Sequence, residues 1–188
     1  HSALRDPDPR FVRAARWLWQ QGTPSLPDCV WLAYVLLAHG EPAPGDAGPP
    51  EDFARHIGRV VADKAYEQAG VGPDDIGVAE VHDACSFAEI VQIENLGFCQ
   101  RGDGGPISAR RETALGGRIP VNTSGGLVSK GHPVGATGII QMHELVMQLR
   151  REAGPRQVEK PRYAIAENGG GFWGVEEAAT AVTILGRA

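Results

Sequence analysis

Between Asn122 and Gly138 the chain reads N-T-S-G-G-L-V-S-K-G-H-P-V-G-A-T-G, and its five glycines, Gly125, Gly126, Gly131, Gly135 and Gly138, restrict what can surround it. Glycine lets a backbone take positive φ and lets a ligand approach closely. One histidine, His132, stands in the middle, directly before Pro133. A proline pushes the residue before it out of the α region, so His132 is predicted to sit extended in a tight loop rather than on a helix. From there Ile139, Ile140, Met142, Leu145, Val146 and Leu149 recur at helical spacing. The stretch therefore reads as a buried glycine-rich loop, with one ring donor, that feeds a helix N-terminus. That setting suits a developing negative charge.

The elements around this loop alternate. Phe53 to Ala69 is predicted to be a helix on the spacing of Phe53, Ile57, Val60, Val61, Ala65 and Ala69, with Gly70 as its cap. Ile76 to Val81 reads as a short strand. Ala84 to Phe98 reads as a second helix with Phe87, Ile90, Val91 and Leu96 turned inward. Gln100 to Thr113 is polar and glycine-rich, a surface excursion. Ile119 to Val121 reads as a strand that delivers the loop, and Ala136 to Arg151 as the helix after it. Met142 and Met147 belong to that helix's core. Tyr163 to Ala166 and Ala178 to Leu185 read as two closing strands, adjacent enough to leave an antiparallel edge. The order is α/β, a mixed and mostly parallel sheet with helices on both faces and right-handed crossovers.

Residues 1–50 are harder to assign. Pro9 to Gln21 is consistent with a surface helix and Val30 to Ala38 with a buried strand, and Glu41 to Pro50 is a linker with four prolines and two glycines. Residues 51–188 form the assignable domain. Composition excludes several functions. A net charge of −5, from 18 Lys+Arg against 23 Asp+Glu, gives no nucleic-acid footprint. No apolar run reaches the roughly 20 residues of a membrane span. Cys29, Cys85 and Cys99 are far apart and form no CxxC pair, which fits a reduced, cytoplasmic setting without signal peptide. The six histidines form no metal-ligand pattern, so no metal is expected.

Three motifs in order carry a resemblance. S-G-G-L-V-S-K-G-H-P-V-G-A-T-G resembles the histidine loop of the thiolase superfamily, A-E-V-H-D-A-C-S-F-A-E from Ala79 to Glu89 its upstream asparagine or histidine motif, and A-I-A-E-N-G-G-G-F-W-G from Ala164 to Gly174 its C-terminal glycine loop. The H-D form of the second motif is similar to the sterol-carrier (lipid-transfer) branch. The match runs from about Asp52 to Arg187 and covers only the C-terminal of the two halves from which that superfamily is built. The family's nucleophilic cysteine belongs to the other half, and none of the three cysteines here lies in a similar motif.

The resemblance implies the chemistry. Carbon–carbon bond formation or cleavage beside a thioester passes through an enolate, whose oxygen needs donors aimed at it. His132 is the donor that the resemblance implies. His82 stands where many thiolases carry an asparagine, and a structural histidine at a strand end is its alternative. Asp83 either orients His82 or, more simply, caps the following helix. Glu167 takes the place of the family's acid/base cysteine. It reads equally as a base with a tuned pKa or as a carboxylate bonded to neighbouring backbone. In the sterol-carrier branch a cysteine directly follows H-D. Here that position is Ala84 and the cysteine comes one residue later, at Cys85, about 100° away around a helix. Substrate contact is expected at Gly131, Gly169, Gly170, Gly171 and Trp173, with Phe172 and Trp173 walling the pocket. Lys130 either steers an anionic substrate or is solvated.

Three functions follow from the resemblance. One is the C-terminal half of an enzyme acting on acyl-CoA thioesters through an enolate held by His132 and His82. The second is an aldolase of the lipid-transfer-protein type, which cleaves steroid-type acyl-CoA side chains without a cysteine nucleophile and works with a small OB-fold partner. The third is a non-catalytic or truncated binding or dimerisation module of the same fold. No cofactor is implied beyond coenzyme A as part of the substrate. A thiolase N-terminal half or a further copy of the chain is the expected partner. Both glycine loops follow parallel-type strands and are expected to open at one sheet edge, and a missing half should leave an apolar surface bare.

Overall fold

The computed structural model describes residues 56–171 and 177–187. Its sheet has β2, Tyr163–Gly170, at the centre. On one side β2 pairs in parallel with β1, Ile76–Glu80, and on the other antiparallel with β3, Ala179–Gly186. β2 is buried from Ala164 to Glu167, as a central strand must be, whereas β3 alternates exposed and half-buried positions as an edge. Beyond β1, Ala79 bridges Val121 in parallel. The strand predicted over Ile119–Val121 is reduced to that bridge because the chain turns away at Asn122, where φ is +52°.

Helix α1, Ile57–Ala69, lies within the predicted span and ends at Gly70, whose φ of 66° lets its N–H reach back to Glu67 and Tyr66. Residues 53–55 lie outside the described residues, as do the helix and strand predicted before residue 50. Helix α2, Ser86–Asn95, is shorter at both ends than predicted. Cys85 before it is extended, with φ −151°, and Gly97 after it takes φ +78°. Phe87, predicted inward, is 60% exposed. The excursion over Gln100–Thr113 contains a short helix, α3, Gly104–Ala109, that buries Ile107. Its start is held by Glu94, whose Oε1 accepts the N–H groups of Gly102 and Gly104. Helix α4 is one short turn, Gly126–Lys130, and α5, Thr137–Arg150, is the long helix after the histidine loop.

Two apolar cores flank the sheet, and alternation along β2 sorts residues between them. Ile165 joins the core with Ala62 and Tyr66 of α1 and Ile93 of α2. Ala164 and Ala166 join the other, with Val78, Leu145 and Leu149 of α5. Ile93, Leu96, Leu145 and Ile165 are fully buried, each contributing about 1.5–3 kcal/mol. Helices thus cover both faces, as the α/β pattern implies. Among the described residues no helix is long and apolar enough to cross a membrane.

Candidate active site

The site forms where β1 ends beside the Val121 bridge. Ala79 donates its N–H to Pro120 and accepts that of Asn122. Asn122, of a residue type that tolerates left-handed φ, is held there by long-range bonds of its amide. Its Oδ1 accepts the Val81 N–H at 2.8 Å, and its Nδ2 donates to Glu89 at 3.0 Å. These bonds register the end of β1 against the start of the histidine loop.

The next turns are fixed by two buried carboxylates. Glu80, with no solvent exposure, accepts the Ser124 N–H and hydroxyl and the Lys130 ammonium, the last at 3.0 Å. Lys130 is therefore neither solvated nor free to steer a substrate, since its side chain is only 16% exposed and is held in this ion pair. Asp83 accepts the N–H of Leu127 at 2.7 Å through Oδ1. The cap expected on the helix that follows Asp83 is absent, and Asp83 instead caps α4, 44 residues away. Gly126, at φ +63°, has to be a glycine, because a Cβ there would lie 2.0 Å from Asp83 Oδ2. Gly131, at φ +95°, ends α4 and turns the chain into His132.

His132 lies between α4 and α5, outside either helix and exposed, as are Gly131, Pro133, Val134 and Gly135. The loop predicted to be buried is open in this chain. The ring meets that of His82 edge-on, with centroids 4.9 Å apart and planes at 81°. Each ring has a second contact at Nδ1. For His132 it is the Thr137 hydroxyl at 2.7 Å, and for His82 the Asn168 amide nitrogen at 3.0 Å. Burial, then the charge of His132, pushes the His82 pKa down to about 4. His82 is thus neutral at physiological pH, with its Nε2 edge free of the contacts that hold Nδ1.

Glu167 is placed differently from the reading of it as a base. It shares its β2 face with Ile165, whereas Asn168 shares the other face with Ala164 and Ala166. Its side chain has no exposure, and Oε2 accepts the main-chain N–H of His82 at 3.0 Å. Burial, then the negative charge of Glu177, raises its pKa well above the ordinary carboxylate value. Glu177 itself accepts from Gln92 at 2.9 Å and Thr180 at 2.6 Å. In this chain the Glu167 carboxyl is enclosed, whereas the histidine edge is open. The structure brings His132, His82 and Asn168 together and sets Glu167 behind them. The two motif loops converge, but through Asn168.

Gly169 and Gly170, predicted in a loop, are rungs of β2 opposite Thr180 and Ala179. Gly169 makes room for the Glu177 carboxylate, which a Cβ would meet at 1.9 Å. Gly171, at φ +68°, ends the strand. Phe172 and Trp173 lie outside the described residues, as does Cys29. Cys85 is a free thiol at the start of α2. The Cys99 pKa is pushed up to about 11 by burial and by Glu94 and Asp103, which makes it a poor nucleophile. Among the described residues no group of three or more His, Cys, Asp or Glu is placed to hold a metal ion.

Sequence reasoning missed Asn168 and Thr137. The signal for Asn168 was alternation along E-N-G-G-G, which puts neighbours on opposite faces of a strand. Thr137 stood in the G-A-T-G of the histidine loop, five residues beyond the ring it touches.

Residues 49–187 match the family model described as thiolase C-terminal domain-like. Sterol carrier protein 2 of Rattus norvegicus is 46% identical over 112 residues, which cover 60% of this chain and 20% of that protein. Acetyl-CoA acetyltransferase of Methanothermobacter thermautotrophicus is 48% identical over 113 residues, covering 60% of this chain and 30% of that one. Among solved structures the Ltp2-ChsH2(DUF35) aldolase superposes with a TM-score of 0.60 at 28% identity, covering 74% of this chain and 32% of that chain. The chain thus spans about a fifth to a third of the length of these relatives.

Proposed function

We propose, from the premise that this chain belongs to the thiolase C-terminal domain-like family, that it supplies the enolate-stabilising half of an enzyme acting on acyl-CoA thioesters. The observation that carries this reading is the edge-on pair of His82 and His132 at the open end of the sheet, 4.9 Å between centroids. When a carbon–carbon bond beside a thioester forms or breaks, negative charge moves onto the carbonyl oxygen. Fixed imidazole donors lower the barrier because their bonds strengthen as that charge develops. Glu167 holds the main chain of His82, Asp83 holds α4, and Glu80 holds Lys130 and Ser124. These three carboxylates position the pair and do not touch substrate. Coenzyme A enters only as part of the substrate.

Aldol-type cleavage fits the site better than thiolysis. Glu167 stands where the family's acid/base cysteine would be, and Cys85 occupies the N-cap position of α2 without a side-chain cap bond, its backbone extended at φ −151°. The likeness to the Ltp2-ChsH2(DUF35) aldolase favours the same choice and a partner protein, for which the family resemblance implies a small OB-fold protein. The remainder of the fold closes the face left open here. Phe87, Val128, Val134 and Ile139, each at least 60% exposed, all lie in the two segments that carry the histidines.

Enolate formation has a direct assay. The chain, assembled with a thiolase-type N-terminal half, is incubated with a saturated acyl-CoA in D2O, and deuterium at the α-carbon is followed by NMR or mass spectrometry. Exchange that is lost on His132→Ala supports the reading. Binding of acyl-CoA with no exchange makes the chain a binding or dimerisation module instead.

A further inference from the structure

We propose that Thr137 and Asn168 are positioning residues that donate to Nδ1 of His132 and His82, so that each ring, in its neutral form, carries its proton on Nε2. For His82 the argument is one of inventory. An amide nitrogen has protons to give and no lone pair to offer, so the Asn168 Nδ2 at 3.0 Å makes His82 Nδ1 an acceptor. The single proton of a neutral imidazole then lies on Nε2. Gly138 at the start of α5 leaves space for this amide, since a Cβ there would press on Asn168 Oδ1 at 3.2 Å.

For His132 the argument is one of competition. The Thr137 hydroxyl has one proton and two acceptors within reach, His132 Nδ1 at 2.7 Å and the Pro133 carbonyl at 3.2 Å. That carbonyl already accepts the N–H groups of Ala136 at 2.7 Å and Thr137 at 2.9 Å, which occupy both its lone pairs. The other assignment, with His132 Nδ1–H donating to Oγ1, would press the hydroxyl onto that carbonyl as its third donor, so the hydroxyl proton goes to Nδ1. Thr137 is 1% exposed, so water does not compete for its hydroxyl. Each ring then carries its donor at Nε2, the nitrogen not engaged by Thr137 or Asn168. The consequence for turnover rests on the function proposed above, whereas the state of the rings does not.

The test is therefore spectroscopic first. The full chain is labelled with 15N in its histidine rings, and the tautomers are read from two-bond ring proton–nitrogen correlations at neutral pH. The expected result is the Nε2–H pattern for both His82 and His132. An Nδ1–H pattern at either ring overturns the proposal. Thr137→Val should leave His132 with averaged nitrogen shifts, and Thr137→Ser should restore the single pattern. A His132 spectrum unchanged in Thr137→Val overturns the role of Thr137. Asn168→Asp replaces a donor with an acceptor and should move the His82 proton to Nδ1 or charge the ring, and an unchanged His82 overturns the role of Asn168. The unperturbed signals of the other ring report that each variant is folded. In the assembled enzyme, Thr137→Val should lower kcat about 10-fold or more with KM little changed, and Thr137→Ser should recover most of it. If the spectra respond as expected but turnover does not, the tautomer assignment stands and the enolate reading fails.

Discussion

Asp83 accepts the main-chain N–H of Leu127 at 2.7 Å, joining the residue after one histidine to the helix that ends just before the other. The contact is possible only because Gly126 has no side chain, and its φ of +63° is itself costly for any L-residue. Gly126→Ala should therefore destabilise the fold by about 2 kcal/mol or more, from left-handed strain plus displacement of a buried carboxylate. Chemical denaturation would measure it. A variant as stable as the parent would mean that the Asp83 contact does not register the loop.

Glu167→Gln separates a base from a positioning group. Glutamine keeps an oxygen to accept the His82 N–H and gains an N–H to offer Glu177. The raised pKa of Glu167 means that, above the ordinary carboxylate value, the folded chain holds a proton that the unfolded chain releases. Its contribution is thus favourable at low pH and declines as pH rises toward the folded value. Glu167→Gln should be at least as stable as the parent at pH 8, with the difference closing toward pH 4.5. Turnover should stay within a few-fold. A collapse of kcat with the fold intact would restore Glu167 as the base.

His82 has the opposite sign. Its folded pKa, about 4, lies below the 6.5 of a free ring because burial and then the His132 charge oppose protonation. Stability from this group is complete above pH 6.5 and is lost as pH falls through about 4, since the unfolded chain takes up the proton first. His82→Gln should remove that part of the acid limb, seen as a flatter denaturation midpoint between pH 6.5 and 4. The comparison has to be with the parent, because raised carboxyl groups at Asp83 and Glu89 act in the other direction. Identical acid limbs would contradict the depressed pKa.

Much of this arrangement was legible in the sequence, and the parts that were not share a cause. Helical spacing located α1 and α5, Gly70 marked an end, and two closing strands gave the antiparallel edge. The three motifs named the family because short glycine-rich strings specify backbone conformation closely. What failed was the direction of side chains. Phe87 and Ile139 fit an apolar helical stripe yet stand outside at 60% and 73% exposure. A period cannot tell a core from a surface meant for another part of a longer fold. Glu167 and Asn168 are adjacent, and only strand pairing shows which of them meets the His82 ring and which its main chain. Lys130 looks like a surface residue until Glu80, 50 positions earlier, is seen to lie against it.

The last expectation concerns the chemistry, tested in the assembled enzyme. His132→Ala removes a donor whose bond strengthens in the transition state, so kcat should fall by about 10²–10³ while KM changes far less. His82→Ala should cost less if a water occupies the place of its ring and donates from the same side. Cys85→Ser leaves both rings untouched. It replaces a thiol by a better helix N-cap at the start of α2, so activity should persist and stability should rise by up to about 1 kcal/mol. Steady-state kinetics on acyl-CoA substrates, with thermal melts of the same samples, would check all three. If Cys85→Ser abolishes turnover in a folded protein and His132→Ala does not, the thiol carries the reaction. Enolate stabilisation by the two histidines would then be the wrong mechanism.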